Sequence, residues 1–481
     1  MIIIYDMELH KLTKNELLLK CDALGFAKIK SKTKAELIAL INSKLVTNED
    51  KNDDNMASDS DAGSVGDVYV GTNDYTTEFH VGDETHVGTL DLTGYKFIDL
   101  FCGIGGFHQA LKKMGAECVL ACDIDKDCRV VYKDNYGIEP VSNIKDINEK
   151  TMVDFDIICA GFPCQAFSNG GKKKCFEDER GLLFDEIIRI AKEKRPKFMF
   201  LENVKHILKV SNGEVIEYIK KRIASIDYTL QLFQISPHNY GIPQQRERVY
   251  FVCVRNDIYN GNNVILPIYK GKIEFDKFLD TKESIDDKYF IKDSTLKVLE
   301  TWDEMVKQFE IGEKISPTIM INDAFNLYTE AEFNNFPSWK QDYITKNKPL
   351  IEKYRPQFSE WYKKHSEVLK MREIYGKLEW QTGLIREKES IFNHFIQIRQ
   401  SGIRVKKGHY FPTLVAISQI PIYGKEKRYI TPRECARLQS FPETFKLSKD
   451  DKKSYKQLGN SVNVDNVYTV ISSTLRNYLH L

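Results

Sequence analysis

Phe97-Ile98-Asp99-Leu100-Phe101-Cys102-Gly103-Ile104-Gly105-Gly106 decides the fold class. Its first five residues are apolar apart from one acid, as in a buried strand. The glycines then form a turn, and Phe107 to Met114 carries the spacing of an amphipathic helix. Glu117 to Ala121 reads as a second strand, ending at Asp123. Glycines in such a turn let the main chain approach a ligand, and an acid about twenty residues on can accept from ribose hydroxyls. This is the layout of a site for an adenosine cofactor. The spacing is not that of GxGxxG, and the missing third glycine argues against a pyrophosphate.

Outward from that stretch the alternation continues. Strands are expected over Ile157 to Ala160, Phe198 to Leu201, Tyr228 to Ile235 and Arg248 to Val254, with helices over Leu182 to Lys192 and Glu214 to Ile223. The pattern predicts an α/β fold, a Rossmann-like, mainly parallel sheet covered on both faces, with its chemistry at the carboxyl ends of the strands. The glycine turn, Asp123, the turn Gly161-Phe162-Pro163-Cys164-Gln165 and Glu202-Asn203-Val204 all fall at such ends. Alone, Cys164 would be read as a packed thiol in a stiff proline turn. Its company at the strand ends makes it a candidate nucleophile.

The 481 residues carry a net charge of +1, so affinity for nucleic acid must come from local patches. No apolar run approaches the roughly 20 residues that span a bilayer, so no membrane association is expected. The 10 cysteines form no paired CxxC knuckles, and Cys118, Cys122 and Cys128 read as packing on a strand and the next helix. No metal is expected. A monomer in the reducing cytoplasm, associated with the nucleoid if bacterial, fits this composition.

Residues 1–45 read as two short helices, with Lys28, Lys30, Lys32 and Lys34 in the turn between them. Leu24-Gly25-Phe26 and Lys34-Ala35-Glu36-Leu37-Ile38 resemble the SAP motif, a small DNA-binding module; a helical hairpin with a solvated lysine face is the plainer alternative. Residues 46–92 are acidic and rich in Ser, Gly and Asn, as in a flexible linker. A catalytic domain is expected over 93–260, a target-recognition domain over 261–427, and a return to the catalytic domain over 428–481.

Six segments together resemble the DNA cytosine-5 methyltransferases, over about residues 95 to 481. They are the opening stretch, Gly161 to Gln165, Glu202-Asn203-Val204, Gln244-Gln245-Arg246-Glu247-Arg248, Thr431-Pro432-Arg433-Glu434-Cys435-Ala436-Arg437-Leu438-Gln439, and Gln457-Leu458-Gly459-Asn460-Ser461-Val462. The resemblance implies S-adenosylmethionine as methyl donor and cytosine in duplex DNA as acceptor. Cytosine C5 is a poor nucleophile until a thiolate adds at C6, which is the task implied for Cys164. Glu202 would serve N3, Arg248 would reach O2, and Arg246 would sit beside it on phosphate or on the Cys164 loop.

The same resemblance implies a donor pocket of Phe101, Gly103, Ile104, Gly106, Asp123, Ile124, Asn143, Ile144, Pro163, Leu183, Asn460 and Val462. Asn143 departs from the family, which often has an acid accepting the adenine amino group there; an amide oxygen accepts that bond without charge. Asp123 stands where many relatives carry Glu.

The target base must leave the duplex. Ser168-Asn169-Gly170-Gly171-Lys172-Lys173-Lys174 supplies hinges and phosphate contacts for a loop that closes on DNA, with Ser168 and Gln244 expected at the DNA. Phe336 to Gln341, Lys377 to Gln381 and Ile398 to Val415 resemble the AluI-type branch, suggesting an AGCT-like site. Arg399 and Arg404 there are candidates to enter a major groove, and Lys406 is the better candidate for phosphate. A cognate restriction endonuclease would be the partner in such a system. The alternatives are an RNA cytosine-5 methyltransferase on the same fold, which would have a shorter recognition region, and a DNA-binding protein with a decayed enzyme domain, which would lack Cys164, Glu202 or Arg248.

Overall fold

The computed structural model describes residues 90–163, 182–269, 271–315, 318–324, 328–416 and 419–479. The SAP-like helices with Lys28, Lys30 and Lys32, nearly all of the acidic stretch, and the loop with Cys164, Gln165 and Ser168 lie outside the described residues.

The first sheet contains β1 (Lys96–Leu100), β2 (Glu117–Cys122), β3 (Ile157–Gly161), β4 (Phe198–Val204), β5 (Tyr228–Ile235) and β6 (Arg248–Arg255), in the order β2-β1-β3-β4-β6-β5. Strands β1 to β4 run parallel; β6 runs antiparallel to both β4 and β5. Strand order therefore reverses beside β1, where doubly wound sheets bind ligands. Because β6 is reversed, its first residue, Arg248, pairs with the last of β4, Val204. A residue that begins a strand thus reaches the carboxyl edge.

Period-two alternation feeds two apolar layers. Phe97, Cys159, Phe198, Phe200, Val252 and Val254 face one side, covered by α1 (Gly106–Lys113) and by the last helix of the chain. Ile98, Ile158, Met199, Leu201 and Phe251 face the other, covered by the two helices that follow β3 and β4. Asp125 caps α2 (Lys126–Tyr136) by accepting from the Asp127 and Cys128 N–H groups, and Gly137 ends it in the left-handed region. Helices α3 (Leu182–Lys194) and α4 (Glu214–Ala224) complete this half.

A second sheet follows, from β7 (Ile319–Met320), β8 (Lys377–Gln381), β9 (Phe395–Arg399), β10 (Gly402–Lys406), β11 (Ile422–Tyr423) and β12 (Arg428–Tyr429), in the order β12-β11-β9-β10-β8-β7. Its helices are α5 (Asp293–Val306), the short α6 (Ile321–Ala324) and α7 (Glu330–Asn334), α8 (Ser338–Lys353) and α9 (Arg355–Lys370). Trp302 of α5 and Trp361 of α9 stand 5.0 Å apart in its core, each indole N–H on a main-chain carbonyl.

From β12 the chain returns to the first sheet through α10 (Pro432–Leu438), α11 (Asp451–Asn460) and α12 (Val464–Leu479). Val467, Val470, Ile471 and Leu475 of α12 share the apolar layer of Leu111 in α1. Lys453 and Lys456 of α11 pair with Asp127 and Asp125 at the start of α2. Among the described residues, no helix is long and apolar enough to cross a membrane.

Candidate active site

The turn after β1 sits at the switch point. Phe101 enters it with φ 54°, and Gly106 starts α1 so close to the Val462 segment that a Cβ there would lie 2.5 Å from Val462 Cγ2. Gly103 N donates to Asp123 Oδ2 at 2.7 Å, and Asp125 N donates to Asp123 Oδ1 at 2.7 Å. Burial pushes the Asp123 carboxyl above its ordinary range, and those two N–H groups oppose the shift. Beside it Ile124 is 80 % exposed, an apolar side chain at the rim of the turn. Val141 runs parallel to the end of β2 and brings Asn143 alongside, where Asn143 Oδ1 accepts from Lys145 N at 3.0 Å.

An apolar rim, a carboxylate with spare lone pairs and a glycine turn at the switch point are what an adenosine cofactor needs, so these residues fit S-adenosylmethionine. Pro163 and Leu183 are half-buried, Val462 is buried beside Gly106, and Asn460 is exposed at the end of α11. Ile104 and Ile144 are 1 % and 3 % exposed and packed into the two apolar layers, and both lie on the chain that frames the turn and the end of β2.

The reaction end lies along β3, β4 and β6. Register sets Gly161 beside Glu202 and Glu202 opposite Tyr250. A Cβ on Gly161 would stand 3.9 Å from Glu202 Oε2. Asn203 Nδ2 donates to the Phe162 carbonyl at 3.0 Å, and the Phe162 ring is buried against Phe184 and Phe251. The strand bearing the acid therefore fixes the chain two residues before Cys164. That role of Asn203 was hidden in a motif recognisable only as a string.

Glu202 is 8 % exposed, and Arg248 Nε lies 3.2 Å from its Oε1. Burial raises the Glu202 carboxyl above its ordinary range, opposed by the charges of Arg248 and then Arg246. A proton on this carboxyl is thus favoured by place rather than by partner. Arg248 also donates from Nη1 to the Glu247 carbonyl at 2.7 Å, which fixes its plane.

Arg246 is turned inward; the Cys164 loop, one of its two expected seats, lies outside the described residues. Its guanidinium is buried and donates to the carbonyls of Leu414 at 2.7 Å, Gly459 at 2.9 Å and Ser461 at 2.8 Å, while its N–H reaches Ser236 Oγ at 2.8 Å. Phosphate is out of its reach. It ties the segment before β6 to the C-terminal return and to the connection between β10 and β11. Gln244 is 0 % exposed, its main chain bridged to Phe411.

Arg399, Arg404 and Lys406 come to one face of the second sheet, together with Glu379, Gln381 and Gln397. Arg404 Nε donates to Glu379 Oε2 at 2.7 Å across β10 and β8. Arg404 and Lys406, expected at a major groove and at phosphate, are 5 % and 8 % exposed and lie in a sheet strand. The strand they meet, Lys377–Gln381, is singled out in the sequence only by its resemblance.

Among the described residues, no group of three or more His, Cys, Asp or Glu could hold a metal. Burial pushes the thiols of Cys118 and Cys122 up to about 12.

Residues 95–476 match the family model described as C-5 cytosine-specific DNA methylase. The chain is 33% identical over 393 residues to the type II methyltransferase M.HhaI of Haemophilus parahaemolyticus, covering 81% of this chain and 96% of that one. It is 32% identical over 388 residues to M1.ScrFI of Lactococcus lactis subsp. cremoris, covering 79% and 78%. With M.BanI of Aneurinibacillus aneurinilyticus the figures are 29% over 426 residues, 79% and 96%. The chain belongs to the C-5 cytosine-specific DNA methylases. It is an enzyme that methylates C5 of cytosine in DNA, with S-adenosylmethionine as methyl donor.

Proposed function

We propose that the chain is a modification methyltransferase acting on a specific duplex site, with Cys164 as nucleophile, Glu202 as proton donor and Arg248 as positioning cation. The observation that carries this reading is the meeting of Gly161, Glu202 and Arg248 at one sheet edge, with Asn203 holding the carbonyl of Phe162. The Cys164 thiolate forms a bond to C6 of a flipped-out cytosine; the C5=C6 π pair shifts to C4=C5 and the C4=N3 π pair onto N3, which makes C5 an enamine carbon. Glu202 gives N3 a hydrogen bond from a buried carboxyl, where such a bond is strong. Arg248, its plane fixed by Glu202 and the Glu247 carbonyl, is the candidate donor to O2. Bound S-adenosylmethionine supplies the electrophilic methyl group, and Phe101, Gly103, Ile104, Gly106, Asp123, Ile124, Asn143, Ile144, Pro163, Leu183, Asn460 and Val462 would hold it. Loss of the C5 proton to solvent then breaks the bond to Cys164 and restores aromaticity.

Arg246 serves this chemistry by holding the segment that carries Arg248. Residues 93–260 and 428–481 would form the catalytic domain and 261–427 an AluI-type recognition domain that reads the site. Residues 1–45 would add a SAP-like, sequence-independent hold through Lys28, Lys30 and Lys32, joined by a linker over 46–92. Ser168 would act at the DNA from the loop after Cys164. A restriction endonuclease of the same specificity would be the partner in the cell.

The test is Cys164→Ala. Methyl transfer from labelled donor to duplex DNA should vanish while DNA binding persists, and wild-type enzyme should form a covalent complex on DNA bearing 5-fluorocytosine. Retained turnover in Cys164→Ala sinks the mechanism; transfer to transfer RNA in preference to duplex DNA sinks the substrate.

A further inference from the structure

One group of buried polar side chains has no part in this chemistry, and it gathers behind the donor turn. Helix α2 and the residues that lead into it touch that turn at two points. Before its first residue, Asp123 accepts from Gly103 N; at its last residue, Tyr136 donates its hydroxyl to the Gly105 carbonyl at 2.8 Å. The Tyr136 ring lies so close that a Cβ on Gly105 would stand 2.3 Å from it, and Gly105 has φ +88°. Only glycine fits there.

The Tyr136 ring is itself held from behind. It stacks on the His108 ring at 3.8 Å and 16°. His108 Nδ1 lies 2.7 Å from the Tyr132 hydroxyl, which donates to Asp99 Oδ2 at 3.4 Å. Asp99 and Tyr132 are 0 % exposed and His108 is 6 % exposed. Burial keeps His108 neutral at ordinary pH, so the stack carries no charge. Asp99 belongs to β1, His108 to α1, and Tyr132 and Tyr136 to α2, so the chain of contacts ties together the three elements that frame the turn. Three buried polar groups and a half-buried tyrosine in a small core cost stability unless they do something that apolar packing would not. What they fix is the direction of the Gly105 carbonyl, and with it the inward N–H and carbonyl groups between Gly103 and Gly106.

We infer that α2 is a two-point clamp on the donor turn, and that Tyr136, backed by His108, Tyr132 and Asp99, is a positioning residue for S-adenosylmethionine. The inference rests on the reading that the donor lies against Asp123 and this turn. Tyr136 sets the shape of the turn from behind; it takes no part in methyl transfer.

The experiment uses the full chain with S-adenosylmethionine and duplex DNA. Tyr136→Phe keeps the ring and deletes the bond to Gly105. Its Kd and KM for S-adenosylmethionine should rise roughly three- to tenfold, with kcat at saturating donor and KM for DNA each changed less than about twofold. Asp123→Ala is measured beside it by the same titration calorimetry. If Asp123→Ala loses donor affinity and Tyr136→Phe keeps it, the clamp is wrong and the pocket stands. If both keep wild-type affinity, the pocket reading fails first. Equal losses in kcat and in both KM values for Tyr136→Phe would mark a merely structural residue and also overturn the inference. Should Tyr136→Phe fail to fold, Tyr132→Phe removes the support one step back; the same split at smaller size sustains the clamp, and unchanged donor affinity overturns it.

Discussion

Two buried arginine–carboxylate pairs make an instructive contrast. Arg428 and Glu434, where the second sheet joins α10, are both 0 % exposed. Glu434 accepts two nitrogens of Arg428 at 2.9 Å each, together with the N–H groups of Asp280 and Thr431, and Arg428 keeps a third bond to Glu426. Every oxygen is occupied. Glu202, by contrast, has one ion-pair partner among the described residues, Arg248 Nε at 3.2 Å, although it is nearly as buried. A saturated buried pair contributes a fixed geometry and little chemistry. An undersaturated one costs solvation energy and keeps a carboxyl whose proton can be used. Residue type is the same in both places; the number of donors around the carboxylate separates scaffold from site.

The contrast predicts opposite failures for the same substitution. Glu202→Ala should lower kcat by about 10²–10⁴ while thermal unfolding stays close to wild type, since it removes a carboxyl the fold does not need. Glu434→Ala should cost about 3–5 kcal/mol of stability, because it strands Arg428 in the interior, and should affect rate only through the folded fraction. Paired measurements of kcat and denaturant midpoint on both variants decide the matter. A Glu202→Ala protein that melts early with unchanged residual turnover would erase the distinction.

The sequence carried the first sheet further than the second. Alternating apolar runs gave Tyr228–Ile235 with both ends right, and gave the starts of β3, β4 and β6; the last three are central strands with almost wholly buried runs. Glu202 and Arg248 could be named as motif members. Their meeting was implied by the resemblance, but not how it is made: pairing depends on β6 entering in reverse between β4 and β5, which no local pattern encodes. Arg246 shows the same limit. Its three carbonyl partners are 168, 213 and 215 residues away, and an arginine beside a known functional arginine looks like a second site cation until the return of the chain is seen. In the second sheet the expected groove-entering stretch became two strands, β9 and β10, whose polar face is closed by cross-strand partners such as Glu379.

Arg246 offers a middle case between the two pairs. It is buried like Arg428, yet its partners are neutral carbonyls, and its charge still reaches Glu202. Arg246→Lys keeps the charge and loses the fork that spans Leu414, Gly459 and Ser461. Stability should fall by about 2–4 kcal/mol as buried carbonyls lose their donors, with kcat in the folded fraction reduced less than in Glu202→Ala. Urea unfolding followed beside single-turnover methyl transfer separates the two effects. A large loss of rate at unchanged stability would move Arg246 from scaffold into the site.

The smallest effect expected is a shift along the pH axis. Burial holds the Glu202 proton on to higher pH than an ordinary glutamate, and the Arg248 charge works against it. Rate should therefore rise with pH as Cys164 ionises and fall again where Glu202 loses its proton. Arg248→Gln removes the opposing charge, so the Glu202 carboxyl rises further and the limb of the kcat profile set by Glu202 moves to higher pH, while the limb set by the thiol stays nearer its place. The direction follows from the sign of the charge alone: a cation favours the ionised acid, and its loss favours the neutral one. Movement of the Glu202 limb to lower pH would mean that Arg248 does not act on Glu202 through charge. It would also mean that the 3.2 Å contact belongs, like that of Arg428, to the scaffold.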